Sequence, residues 1–100
     1  MSQRFLLTLV ADPAIEEPLV DWLLSNEVGH GFTSSQIHGH ASEQRDLSLA
    51  EQVAGRKRQI RFQLCVGASK LAKLVEQLQL EFEGSGIHYW VIPVEAEGWL

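Results

Sequence analysis

The sequence has a single cysteine, Cys65, among its 100 residues. One cysteine excludes a disulfide bond within the chain, and it excludes a zinc cluster built from the cysteines of one chain. Long apolar runs are also absent. No segment approaches the length of a transmembrane helix, and Phe5 to Val10 is too short for the apolar core of a signal peptide. We therefore expect a cytoplasmic protein that does not insert into a membrane.

Basic residues are scarce as well. The chain has 8 Lys and Arg against 13 Asp and Glu, which gives a formal net charge of -5. Nucleic-acid phosphates would repel such a chain unless its cations were concentrated on one surface. Only Arg56, Lys57, Arg58 and Arg61 form a local basic group. We expect no nucleic-acid partner, and the length suits a single domain over residues 1–100 with one modest core.

Hydrophobic periodicity predicts the first strand and the first helix. The segment Arg4 to Val10 is apolar on both alternations, so we expect a strand that is covered on both sides. Asp12 is a candidate helix cap, with Pro13 at the first helical position. A proline in a helix interior loses a hydrogen bond and clashes with the carbonyl four residues before it. Pro18 therefore predicts a looser first turn and a regular helix from about Glu17.

Three further strands and a second helix follow. Residues 31–40 have the weak apolar content typical of a strand at a sheet edge. In residues 60–66 every second side chain is apolar, which predicts a strand with one buried face, and residues 87–94 are rich in β-branched and aromatic residues. Between these two strands, apolar residues at helical spacing follow Ser69, a candidate N-cap, and precede Gly84, which is placed to end the helix.

The resulting order, βαββαβ, predicts an α+β ferredoxin-like sandwich: a four-stranded antiparallel sheet with two helices on one face. Residues 42–55 carry few apolar residues, and we predict a flexible loop there. The face without helices would carry Arg61, Gln63 and Cys65 of the third strand beside one of the two alternations of the first. Because a partly apolar face is unfavourable in water, we expect copies of the chain to associate through it.

The sequence contains no motif for catalysis or RNA recognition. RNA-recognition domains of this topology need aromatic residues on the open face of the third strand, where this chain has Arg61, Gln63 and Cys65. Neither GxxxxGK[ST] nor a GxGxxG that opens a helix occurs. Cys65 lies mid-strand among apolar residues, as an inert thiol does, and Ser34 and Ser35 lack a signature that would activate them. We therefore do not expect an enzyme.

Two histidines, His38 and His40, lie two positions apart on the second predicted strand. Side chains at such a spacing share one face of a strand, and His30 lies upstream. One interpretation is a metal site formed by His38 and His40, with His30 as a further ligand. The other is that the histidines decorate a solvated edge strand. In an oligomer, neighbouring chains would supply additional ligands.

The segment GFTSSQIHGH at residues 31–40 is similar to the GMTVTEVRGFG segment of PII signal-transduction proteins. The matching positions are Gly31, Thr33, Ile37 and Gly39. Residues 60–66 resemble the third strand of that family, and VIPVE at residues 91–95 resembles its V-L-P-V-E ending. The resemblance covers essentially the whole chain. It implies a homotrimer whose clefts between subunits bind adenine nucleotides, and a loop, here residues 42–55, that engages a protein partner.

The sequence departs from that family where nucleotides are held. The family's GFGRQKG is here GHASEQR, so Ser42 and Glu43 replace basic and amide ligands. The family's TGxxGDGK loop is here Glu83 to Ile87, without the lysine. A tyrosine for modification is also missing from the loop. The chain is therefore similar to short, uncharacterised PII-like relatives found with heavy-metal efflux systems, and to the trimeric CutA-type cation-tolerance proteins of the same architecture.

The resemblance and the histidine pair lead us to expect one of two functions. The first is a PII-like regulatory trimer that binds a small ligand in clefts between subunits and a protein partner through residues 42–55; a membrane transporter is one candidate partner. The residues expected at the ligand site are Gly39, Ser42, Glu43, Arg56, Lys57, Arg58, Gly84 and Gly86. The alternative is a metal-binding or metal-sensing module, linked to metal tolerance or efflux, that uses His38 and His40. The sequence identifies neither the ligand nor a cofactor.

Overall fold

Four strands and two helices make up most of the part of the chain that the structure describes, which is residues 3–26, 31–40, 49 and 56–100 of a computed structural model. The elements are β1 (Arg4–Ala11), a 3-10 turn (Pro13–Ile15), α1 (Glu16–Ser25), β2 (Thr33–Gly39), β3 (Lys57–Gly67), α2 (Ala68–Glu81) and β4 (His88–Val94). The four strands form one antiparallel sheet in the order β2-β3-β1-β4. The predicted ferredoxin-like α+β fold is confirmed, with β1 and β3 at the centre and β2 at an edge.

The register of β1 decides which of its two alternations faces the helices. Leu7 lies opposite Leu64 of β3 and Val91 of β4. Residues directly opposite one another in an antiparallel pair share a face, and Leu7 and Leu64 both belong to the buried cluster beneath the helices. The other side of the sheet, here called the open face, carries the even-numbered residues of β1 and β4 and the odd-numbered residues of β2 and β3. The first strand's Leu6, Thr8 and Val10 therefore lie on the open face.

The core lies between the sheet and the two helices. Every second residue of β3 from Ile60 to Val66 is buried, as the alternation predicts. Leu19 and Leu23 of α1 belong to the same cluster, and so do Leu74 and Leu78 of α2. Burial of apolar surface contributes about 25 cal/mol per Å². This layer therefore holds both helices on one side of the sheet.

Asp12 caps the first helical segment, as predicted. Its Oδ1 accepts a hydrogen bond from the backbone N–H of Ala14 at 2.9 Å, and Pro13 occupies the first turn. The 3-10 turn passes into α1 at Glu16, so Pro18 lies in the first turn of the α-helix, where backbone N–H groups have no partner within the helix. The predicted looser turn before the regular helix is confirmed, and the helix begins one residue earlier than Glu17.

The N-cap predicted for the second helix is wrong. β3 continues to Gly67 and α2 begins at Ala68, so Gly67 is the N-cap and Ser69 lies inside the first turn. Gly67 has no side chain with which to cap the helix. The N–H of Ala68 donates instead to the backbone carbonyl of Gln3 at 3.0 Å. Pairing of β3 with the start of β1 therefore sets where the helix begins, ahead of the capping preference of serine.

β3 is longer than the alternation alone predicts. It begins at Lys57 rather than Ile60, because its first residues pair with the end of β2. The predicted flexible loop at 42–55 lies outside the described residues, apart from Leu49, whose side chain is exposed. Within the described ranges no helix is long and apolar enough to cross a membrane.

Two leucines of α2 provide a matched test of the core. Leu78 is 7 % exposed and packs in the core, whereas Leu80 on the same helix is 73 % exposed. We expect Leu78→Ala to lower the free energy of unfolding by about 2–5 kcal/mol, because it removes buried methyl groups and leaves a cavity. Leu80→Ala should change it by no more than about 0.5 kcal/mol. Urea unfolding followed by circular dichroism measures both, and equal losses would contradict the assigned face of α2.

Candidate functional site

The described residues predicted to bind a ligand lie at one end of the sheet. Gly39 ends β2 and lies opposite Lys57, which begins β3. β4 begins beside the end of β1, so the loop of residues 84–86 that precedes it reaches the same end. Neighbouring strands are about 4.8 Å apart and β1 lies between β3 and β4, so roughly 10 Å of sheet separates the two groups. Ser42 and Glu43 lie outside the described residues.

The basic group lies at the start of β3. Arg56 precedes the strand, Lys57 and Arg58 open it, and the side chains of Arg56 and Arg58 are exposed. The sequence has no Asp or Glu between Gln52 and Val75, so the segment that carries this group is locally positive. Clustered positive charge of this kind raises the local concentration of anions. The chemistry of this end of the sheet therefore favours an anionic ligand.

The loop between α2 and β4 is shaped by two glycines. Gly84 has a φ of 76° and Gly86 a φ of 81°, both in the left-handed region that side chains other than glycine rarely adopt. A Cβ at either position would meet nothing within 4 Å, so glycine is needed for its backbone and not for space. The N–H of Ser85 donates to the carbonyl of Phe82 at 3.1 Å, which closes the turn after the helix.

A cavity of about 190 Å³ lies beneath this loop, between α2 and the edge strand β4. Its apolar lining includes Leu9, Leu78, Phe82 and Ile87. At its polar side the Nε2 of Gln79 donates to the hydroxyl of Tyr89 at 3.1 Å. The cavity faces the helix layer, so it is separate from the open face of the sheet.

Gln59 is a residue of this end that the sequence did not single out. A Cβ on Gly39 would collide with the side-chain amide oxygen of Gln59, so the glycine leaves the space into which that amide extends. Gln59 lies opposite Ile37 on the open face. The alternation that marks Ile60 as buried continues back to Lys57 and includes Gln59, but the predicted strand began at Ile60, too late to include it.

The open face is partly apolar, as expected. Trp90 and Ile92 of β4 are 40 % and 48 % exposed. Thr8 is only 1 % exposed although neither α1 nor α2 covers it, because Gln63 and Trp90 lie opposite it on the two neighbouring strands. The Nε2 of Gln63 reaches the hydroxyl of Thr8 at 3.5 Å. The ring of His88 packs edge-on against Trp90, with 4.9 Å between ring centroids.

The segment after β4 folds back to the open face. The Nε of Arg4 donates to the carboxylate of Glu97 at 3.0 Å, and its Nη2 donates to the carbonyl of Cys65 at 3.2 Å. A space of about 350 Å³ lies beside this contact, and it is lined in part by Phe32, Cys65 and Trp99. Both carboxylate and guanidinium are about one-third exposed, so the pair positions the segment more than it stabilises the fold.

Of the three histidines predicted to bind a metal, the structure describes two. His38 and His40 are exposed; His38 lies opposite Arg58, on the side of the sheet away from the open face, and His40 follows the end of β2. His30 lies outside the described residues. His88 is on the open face of the other edge strand, so one chain does not bring it to His38. Within the described ranges no three His, Cys, Asp or Glu side chains form a group that could hold a metal ion.

Comparison with known proteins places this arrangement among similar folds. A family model described as a protein of unknown function (DUF3240) matches residues 1–100. The crystal structure of a DUF3240 family protein from Shewanella baltica OS155 is similar, with 28% sequence identity, a TM-score of 0.79, and coverage of 100% of this chain and 99% of that chain. No curated protein matches the chain.

Two more distant structures share the fold alone. The nitrogen regulatory PII-like protein CPII from Thiomonas intermedia K12, bound to ADP, AMP and bicarbonate, has 19% identity and a TM-score of 0.70, covering 100% of this chain and 98% of that chain. The GlnK–ATP complex of B. subtilis has 18% identity and a TM-score of 0.69, covering 94% and 84%. The fold is therefore PII-like, as the resemblance in sequence implied.

The positive φ of Gly86, in the loop between α2 and β4, can be tested by substitution. We expect Gly86→Ala to lower the free energy of unfolding by about 1 kcal/mol, because alanine is strained at a φ of 81°. Gly98→Ala is the matched control, since Gly98 has no positive φ and a Cβ there would meet nothing within 4 Å. Chemical denaturation measures both variants. An unchanged midpoint for Gly86→Ala would show that the loop does not need its left-handed residue.

Proposed function

The chain belongs to the DUF3240 family of proteins of unknown function, and from that membership and the PII-like fold we propose that it is a regulatory binding protein. It binds a small anionic ligand at the end of the sheet where β2 ends and β3 begins. It contacts a protein partner through residues 42–55, and a membrane transporter is one partner to test. The proposal assigns it binding and no catalytic reaction.

One observation supports this proposal: the described members of the predicted ligand set lie at the same end of the sheet. Gly39 pairs with Lys57, and the loop containing Gly84 and Gly86 lies at that end two strands away. Within one chain the two groups are separated by β1. A ligand that touches both therefore fits best in a cleft that a second subunit completes.

The open face supports an oligomer. Its exposed Trp90 and Ile92 would lose contact with water if another copy covered them. Soluble oligomers of identical chains are mostly closed and symmetric. We propose a homotrimer, held together through the open faces, whose subunit boundaries contain the ligand clefts.

The ligand class follows from charge and from the related folds. CPII is described with ADP, AMP and bicarbonate, and GlnK with ATP. In this chain the loop around Gly84 and Gly86 has no lysine, so phosphates would depend on Arg56, Lys57 and Arg58. We therefore propose a small anion held by these cations, and adenine nucleotides and bicarbonate are the first compounds to test.

Calorimetry of the full chain against ATP, ADP, AMP and bicarbonate tests the ligand site, with mass in solution measured in parallel. We expect binding to weaken at least about tenfold in Lys57→Gln/Arg58→Gln, because hydrogen bonds to charged groups are lost. Lys70→Gln/Lys73→Gln on α2 removes the same charge from exposed positions elsewhere and should bind as the unmodified chain does. A monomer that binds none of the four compounds would overturn the proposal.

The alternative function, metal binding by His38 and His40 with His30, has a separate test. Both described histidines are exposed at the end of β2, where a metal has access. Zn²⁺, Cu²⁺ and Ni²⁺ are titrated against the unmodified chain and His38→Ala/His40→Ala. A histidine site predicts at least about tenfold weaker binding in the double variant, with His88→Ala as the control. Equal affinity in all three proteins excludes this site.

A further inference from the structure

Arg61 occupies an unusual position on the open face. It lies in β3, opposite Val10 of β1 and Ser35 of β2. Its Nε is buried and has no hydrogen-bond partner. Among the side-chain nitrogen and oxygen atoms of the described residues, it alone combines these two properties. A buried donor without an acceptor destabilises a fold, and native proteins rarely leave one in that state. An acceptor for the Nε of Arg61 is therefore missing from the described part of a single chain.

Among the described residues, the strands around Arg61 offer no negative charge. None of the four strands contains Asp or Glu. The carboxylate of Glu97, which reaches the open face, is already paired with Arg4 at 3.0 Å. On the other side of Val10, the strand β4 presents His88. The middle of the open face is thus basic and polar, with apolar surface at Trp90 and Ile92 beside it.

Association through the open face would bring more positive charge to it without adding negative charge. Each added copy contributes its own Arg61, and the strands of that copy bring no carboxylate to neutralise it. Like charges that approach one another in a poorly solvated contact repel strongly. Either the copies meet with Arg61 hydrogen-bonded to neutral groups, or an anion lies between them.

We propose that Arg61 binds a small oxyanion at the contact between open faces, and that this anion is part of the assembly. The planar guanidinium matches the oxygens of a phosphate or carboxylate group and suits a partly buried site. The inference rests on the proposed association through the open faces, and the site is incomplete without a second copy. It is distinct from the ligand end, because Arg61 lies inside the sheet, four residues after Lys57.

Inorganic phosphate is the probe. The mass and thermal midpoint of the full chain are measured by analytical ultracentrifugation and calorimetry in chloride and in phosphate buffers of equal pH and ionic strength. We expect phosphate to lower the protein concentration at which the oligomer dissociates by at least about tenfold, in a saturable way, and to raise the thermal midpoint.

Variants separate this site from general effects of charge. Arg61→Gln should lose the response to phosphate, and Arg61→Lys should keep part of it because the charge remains. Lys70→Gln, on the exposed surface of α2, removes one positive charge without touching the open face and should respond fully. If Arg61→Gln does not fold, the reduced response of Arg61→Lys decides the matter.

The failures are distinguishable. An oligomer whose mass and thermal midpoint ignore phosphate, or an Arg61→Gln variant that keeps the full response, overturns the anion site and leaves the regulatory proposal intact. A monomer in every buffer overturns both the anion site and the proposed assembly.

Discussion

The antiparallel register between β1 and β3 is the constraint on which the rest of the molecule depends. It pairs Leu7 with Leu64 and Thr8 with Gln63, so one strand surface enters the core and the other forms the open face. A slip of one residue would exchange the two surfaces. The same pairing carries β3 to Gly67 and so fixes the start of α2. It also sets the end of the sheet at which Lys57, Gly39 and the loop after α2 collect.

Much of this fold is predictable from the sequence because its signals are local. The alternation from Ile60 to Val66 names the buried side of β3, and Asp12 with two prolines predicts the start of the first helix. Features that depend on how strands pair with one another are harder to predict from the sequence. β1 is apolar on both alternations, so only its neighbours decide which one faces the helices, and Ser69 was a plausible cap only if the strand ended before Gly67.

The residues of the candidate site also differ in whether a local sequence signal or strand pairing reveals them. Clustered cations and spaced glycines are visible in the sequence, and the structure gives Gly84 and Gly86 the positive φ values that favour glycine. Gln59 and Arg61 were harder to recognise as site residues, because their roles come from what lies across the strand: Gly39 for Gln59, and the lack of an acceptor for Arg61. Residues 42–55, where the sequence predicts the partner contact, are outside the described ranges apart from Leu49.

The two edges of the sheet limit how it can grow. β4 carries Pro93, which has no N–H to donate, and β2 is short, polar and mostly exposed. Neither edge is a good template for an added strand, so stacking of sheets edge to edge into an open-ended fibre is disfavoured. Copies that meet would then do so through faces and loops, and such contacts give an assembly of finite size where the symmetry between the copies closes. A chain with a partly apolar sheet surface can in this way associate with itself while its sheet edges resist polymerisation.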